Sequence, residues 1–265
     1  MDRNDSRQDK RNALSYALGK TDALMDEFLK VLKQNPDEKS VSRNFDETAA
    51  KLIVDEKPIE EPVATEEKPK EDERLHMSFS ALLEDALKCK RCGLCETRNN
   101  VVFGMGCADR PLVMVIGEGP GENEDLQGLP FVGKAGQFLD KWLVAINLSR
   151  EKDVYITNVV KCRPPQNAAP FEEESLQCFA YLKQQIELVQ PKSILCLGKS
   201  ASAMMTGQKE ASMASLRGRF FFYDSIPMLC TYHPAAVLRD LELKRPVWDD
   251  LKKLARYLGL EVGGR

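Results

Sequence analysis

The chain has 265 residues, 43% of them hydrophobic, and a formal net charge of −3. That composition supports one well-formed core with extra segments, no run approaches the ~20 apolar residues of a membrane span, and the charged start MDRNDSRQDKR lacks the apolar stretch of a signal peptide. A soluble cytoplasmic protein is expected; an acidic excess in residues 1–76 and a slightly basic remainder permit a nucleic-acid partner without pointing to one.

Residues 11–33 carry Leu14, Leu18, Leu24, Met25, Phe28, Leu29 and Leu32 at helical spacing, which predicts one amphipathic helix; the region reads first as a tethered tail, with a helix docking a protein partner on a flexible linker as the sharper alternative. From 34 to about 74 the chain is rich in Glu, Lys, Pro and Asp with few aromatics, a composition expected to be disordered. Residues 1–76 therefore read as an N-terminal extension and 77–265 as the globular domain.

From Phe79 onward, strand-like and helical patterns alternate. Strands are predicted at 112–116, 154–158, 194–197 and 228–231, with a β-rich stretch at 219–223. Helices are predicted at 78–87, 135–146, 172–189, 199–205 and 247–258. This order predicts an α/β fold with a mostly parallel, four-stranded sheet between helical layers. Ligands in such folds bind beyond the carboxyl ends of the strands, and Gly117-Glu-Gly119, Asn158 and His233-Pro234 each follow a predicted strand.

Gly117-Glu-Gly-Pro-Gly121 stands where a dinucleotide fingerprint would, but its third glycine comes one position early. Gly128-Leu-Pro-Phe-Val-Gly-Lys134 matches a phosphate loop until Ala135, where Ser or Thr is needed for magnesium. Both near-misses argue for a backbone approaching something flat or anionic that is not a nucleoside triphosphate.

Among eight cysteines, Cys89-Lys-Arg-Cys92 forms a C-x-x-C on a polar turn, and Cys162 and Cys178 lie further on. A C-x-x-C with two distant thiols suits tetrahedral zinc or a four-iron cluster. Cys196 and Cys230, inside strands, read as packing residues, while Cys95 and Cys107 fit either role.

These features, together with Val101-Val-Phe-Gly104, Leu129-Pro-Phe-Val-Gly-Lys-Ala-Gly136, Tyr155-Ile-Thr-Asn158, Lys161-Cys-Arg-Pro-Pro-Gln-Asn167 and His233-Pro-Ala235, resemble a family-4 uracil-DNA glycosylase, the iron–sulfur type. The motifs occur in the family's order across roughly residues 80–258. The resemblance implies a monofunctional enzyme that flips uracil out of single- or double-stranded DNA and hydrolyses its N-glycosidic bond. It implies one [4Fe-4S] cluster on Cys89, Cys92, Cys162 and Cys178, with Cys95 outside that set. It also implies that His233 donates to uracil O2, Asn158 reads N3 and O4, Phe131 stacks on the ring, and Gly117, Glu118 and Gly119 line the site through their backbone.

In family-1 enzymes the corresponding loop carries an aspartate that positions water and a tyrosine that excludes thymine; Gly119 and Gly121 fall at those places here. Glu118 and Glu124 are the candidates for the missing carboxylate. Arg217 and Arg239 are candidate DNA contacts, and a monomer is expected. A second reading is a uracil-DNA trap. The related trapping branch carries a basic, histidine-containing insertion after the first motif, and the segment from Gly121 to Phe131 has none.

Overall fold

A six-stranded sheet organises residues 78–262, the part of the chain described by the computed structural model. The predicted helix at 11–33 and the predicted disorder at 34–74 lie outside the described residues. In chain order the elements are α1 (Phe79–Leu87), α2 (Leu94–Thr97), β1 (Met105–Gly106), β2 (Val113–Gly117), α3 (Glu122–Gln127), α4 (Lys134–Ala145) and β3 (Val154–Asn158). After a 3-10 turn at Pro165–Asn167 come α5 (Glu172–Val189), β4 (Ile194–Leu197), α6 (Lys199–Thr206), α7 (Met213–Leu216), β5 (Phe220–Tyr223) and β6 (Ile226–Thr231). The chain ends in α8 (Pro234–Arg239), a 3-10 turn at Leu241–Leu243 and α9 (Lys244–Tyr257).

The strand order is β1-β3-β2-β4-β6-β5. The inner four strands are the predicted ones and run parallel, but the expected four-stranded sheet is corrected to six by antiparallel edges, β1 against β3 and β5 against β6. β1 has two residues, too short for any periodicity to reveal. The same applies to α2, α3, α7 and α8, of four to six residues each. α9 begins before its predicted start because Pro246 sits in its first turn, where its missing N–H costs nothing.

Every residue of β2, β3 and β4 is buried, as expected for parallel strands covered on both faces. Alternation divides their side chains between two cores. Met114, Ile116, Tyr155 and Ile194 face α1 and α5 through Leu82, Ala86, Tyr181 and Ile186. Val113, Val115, Ile156 and Leu195 face α4 and α9 through Leu139, Trp142, Leu251 and Leu254. Among the described residues, no helix is long and apolar enough to cross a membrane.

The chain moves from β2 outward to β3 and then back across β2 to β4, so the crossover direction reverses at β2. Such a reversal opens a crevice at the carboxyl ends of the strands. The loops after β2, β3, β4 and β6 all end there.

Candidate active site and thiol recess

The loop after β2 is shaped by what surrounds it. The carbonyls of Gly117 and Glu118 accept from the N–H groups of Val159 and Val160, 2.9 and 3.1 Å, extending the β2–β3 pairing past the strand ends. A Cβ on Gly117 would collide with Asn158 Oδ1 and lie 2.7 Å from the Phe131 ring. One on Gly119 would lie 2.8 Å from Val160, and one on Gly121 would lie 2.7 Å from Glu124 Oε2. The glycines let the main chain approach Asn158 and Phe131, and they leave Glu124's carboxylate beside Gly121.

Asn158 ends β3 with its residue 1% exposed, and its Oδ1 is a buried acceptor with no partner. An orphan acceptor costs about 1–3 kcal/mol, and this one is free to take an N–H. Phe131 lies nearby, 6% exposed and with φ of +54°. A non-glycine residue in that region stores about 1–3 kcal/mol of strain. A Cβ on Gly136 would collide with the Phe131 carbonyl, so the first turn of α4 closes over the loop only because residue 136 is glycine.

His233 caps α8: its Nδ1 accepts from Ala235 N–H at 3.2 Å, and Pro234 pre-sets the first turn. Burial, helped by Arg239 and opposed by Glu124, pushes its pKa down to about 4. The ring is therefore neutral at pH 7, and with Nδ1 accepting, the proton sits on Nε2 as a donor. Its ring centroid lies 5.6 Å from that of Phe131. Gly198, with φ of +86° after β4, would bring a Cβ to 3.0 Å from His233 Cβ.

Glu124 Oε1 accepts from the N–H groups of Val132 and Gly133, at 2.9 and 2.8 Å, holding the Phe131 loop against α3. Glu118 accepts from Ser200 Oγ at the start of α6, a partner that no spacing in the sequence signals. Arg217, a DNA-contact candidate, donates through its guanidinium to the fully buried Asp250 at 2.9 and 2.8 Å and to the Pro246 carbonyl, so it clamps α9 to the segment after α7. Arg239 is exposed.

A second site lies between α1, the α2 turn and the start of α5. Cys89, Cys92, Cys95, Cys162 and Cys178 line one recess of about 330 Å³, counting the part open to solvent. Arg98 donates to Cys162 Sγ at 3.1 Å and to the Cys89 carbonyl at 2.9 Å, and Lys161 N–H donates to Cys178 Sγ at 3.3 Å. Burial pushes the Cys162 thiol up to about 11 and raises Cys92 and Cys178 as well. Lys161, 2% exposed, donates through Nζ to Thr157 Oγ1 and the Asn158 carbonyl, at 2.7 and 2.6 Å. Cys107 donates to the Asp109 carbonyl outside the recess, and Cys196 and Cys230 lie paired on β4 and β6 in the core.

The profile of the uracil DNA glycosylase superfamily matches residues 103–252, which span all six strands and include Asn158 and His233. The chain belongs to the uracil-DNA glycosylase superfamily. It is 40% identical over 189 residues to the type-4 uracil-DNA glycosylase of Saccharolobus solfataricus, covering 68% of this chain and 87% of that one. It is 41% identical over 181 residues to the type-4 enzyme of Thermotoga maritima, covering 67% and 93%. To the type-5 enzyme of Pyrobaculum aerophilum it is 30% identical over 166 residues, covering 57% and 72%. Within the superfamily the likeness is thus greater to type 4 than to this type-5 member. Sequence reasoning singled out this glycosylase's Gly117 loop, Phe131, Asn158 and His233, and it missed Ser200, Arg150 and Arg98. Only a through-space contact distinguishes those three from ordinary surface or core residues.

Proposed function

We propose that the crevice accepts one uracil extruded from DNA and that the chain hydrolyses its N-glycosidic bond, releasing uracil and leaving an abasic site. The chain is a uracil-DNA glycosylase acting in DNA repair. The observation that carries the residue assignment is the partnerless Oδ1 of Asn158, which shares the Gly117 backbone with the Phe131 ring, while that ring lies 5.6 Å from the imidazole of His233. Oδ1 accepts from uracil N3–H, while the side-chain amide donates to O4; cytosine presents the opposite pattern at both positions. Phe131 stacks on the ring, and the backbone of Gly117, Glu118 and Gly119 lines its edge.

As the C1′–N1 bond breaks, its electron pair moves onto uracil, and the Nε2–H of His233 donates to O2 where that charge collects. Water adds to C1′ and loses a proton. Glu124, whose charge is felt at His233, is the assigned acceptor. Glutamine at 124 keeps an oxygen for Val132 and Gly133 while removing the charge. Glu124→Gln is therefore expected to lower the single-turnover rate by about 10²–10⁴-fold, the usual range for an acid–base group. An unchanged rate would eliminate Glu124 as the base.

The thiol recess fits one [4Fe-4S] cluster. Five thiols line that shared recess, and a four-iron cluster takes its ligands as Cys thiolates. The Arg98 guanidinium donates to Cys162 Sγ and the Lys161 backbone N–H to Cys178 Sγ, two donors beside thiols that would carry negative charge. Cys89, Cys92, Cys162 and Cys178 would hold the group, which would tie the turn after α1 to α5 and the segment after β3. Cys162→Ala is expected to abolish bound iron and brown absorbance, and Cys95→Ala to retain both. Iron loss from Cys95→Ala would reassign the ligand set.

The reaction is tested by incubating the protein with a uracil-containing oligonucleotide, single-stranded or paired, followed by alkaline cleavage. Strand scission with free uracil supports turnover; a boil-resistant protein–DNA band would mean trapping instead. Arg239 is assigned to backbone phosphate, which positions DNA without reading it. The proposal includes action as a monomer in the cytoplasm, with residues 11–33 docking a protein partner. Deleting 1–76 should spare excision and abolish that docking.

A further inference from the structure

We propose that Arg150 is the positioning residue that holds Phe131 in its base-stacking conformation; this rests on Phe131 being the ring that stacks on uracil. Arg150 lies between α4 and β3, far from the loop in sequence. Its guanidinium nevertheless donates to two successive loop carbonyls, Phe131 O at 2.9 Å and Pro130 O at 2.5 Å. A third bond, 2.8 Å from Nη1 to Asp140 Oδ1, ties the same group to the middle of α4. The side chain is only 16% exposed, so these bonds are shielded from water.

Three further observations converge on the same point. Phe131 has a φ of +54°, a conformation that persists only where its surroundings over-determine it. The first turn of α4 leaves no room at Gly136 for a Cβ beside the Phe131 carbonyl, so the carbonyl is confined from the other side. The Nε of Arg150 is buried without a partner, so the guanidinium is held through its two Nη groups by the Phe131 and Pro130 carbonyls and by Asp140.

A planar fork can bridge two adjacent carbonyls and a carboxylate at once, which a lysine ammonium on a flexible stem does not reproduce. Without the fork, residue 131 is free to relax to negative φ. That would swing the ring away from Gly117, Asn158 and His233, which it now faces. Arg150 touches no substrate atom, and its effect passes entirely through Phe131.

The test is a double-mutant cycle on full-length protein with Arg150→Met, Arg150→Lys, Phe131→Ala and Arg150→Met/Phe131→Ala. Single-turnover excision from a uracil oligonucleotide is followed across enzyme concentrations, with iron content and melting temperature measured in parallel. Arg150→Met is expected to lose about 10²-fold, the scale of a misplaced pocket group, and to divide that loss between half-saturation and maximal rate as Phe131→Ala does. Arg150→Lys should recover only part of it. Added guanidinium ion should restore activity to Arg150→Met but not to the double variant.

In the Phe131→Ala background, Arg150→Met should have no further effect. A full additional loss there would overturn the proposal, as would wild-type activity in Arg150→Lys. Wild-type activity in Phe131→Ala would instead refute the stacking role on which the proposal rests. If Arg150→Met melts before assay, the Arg150→Lys cycle with Phe131→Ala decides by the same additivity criterion.

Discussion

Replacing His233 by alanine is expected to slow single-turnover uracil release by about 10²–10³-fold, the loss seen when one preorganised donor to a developing oxyanion is removed. The structure makes this donor unusual because it is uncharged. Nδ1 is occupied by the Ala235 N–H, and burial holds the ring's pKa down at about 4. The proton on Nε2 is therefore present without an imidazolium, and excision should show no titration attributable to His233 from neutral pH down to about 4.

The same shift has a stability consequence with a definite sign. The unfolded histidine takes a proton near its ordinary value of 6.5, which the folded one refuses until about 4. Folded stability from this group is complete above 6.5 and falls as pH drops toward 4. Thermal melts across that range should show His233→Ala losing less stability on acidification than the wild type. Equal pH slopes in the two proteins would contradict the buried neutral imidazole.

Asn158→Leu is the second large effect, and it should separate function from folding. With uracil bound, the variant leaves N3–H and O4 unpaired in a buried pocket, each at about 1–3 kcal/mol, for a loss of about 10²–10⁴-fold in kcat/KM. In the free protein the change removes an acceptor that already lacks a partner. Its melting temperature should therefore hold or rise while activity collapses. A variant that lost stability in proportion to activity would show Asn158 to be a structural residue at the end of β3.

Much of this arrangement is legible in the chain. The inner strands announce themselves because parallel strands buried on both faces are continuous apolar runs, and the residues after them stand out as Gly117-Glu-Gly119, Asn158 and His233-Pro234. The near-miss at Ala135 is also explained: Gly133 and Gly136 accommodate Glu124 and the Phe131 carbonyl, not a phosphate. Arg217 shows the opposite case. Its sequence neighbourhood resembles a basic DNA-facing segment, yet a buried Asp250 thirty-three residues away claims the guanidinium.

By itself the sequence determined the α/β order, the family and the residue types brought to the carboxyl edge, because periodicity, glycine and proline act over a few neighbouring residues. Only the tertiary structure decided the sheet's two antiparallel edges, the tautomer of His233, the solitary Oδ1 of Asn158, the gathering of five thiols and the grip of Arg150 on Phe131. Each of these depends on burial or on a partner distant in the chain, and hydrogen bonds and desolvation are set by distance in space, which local sequence does not encode.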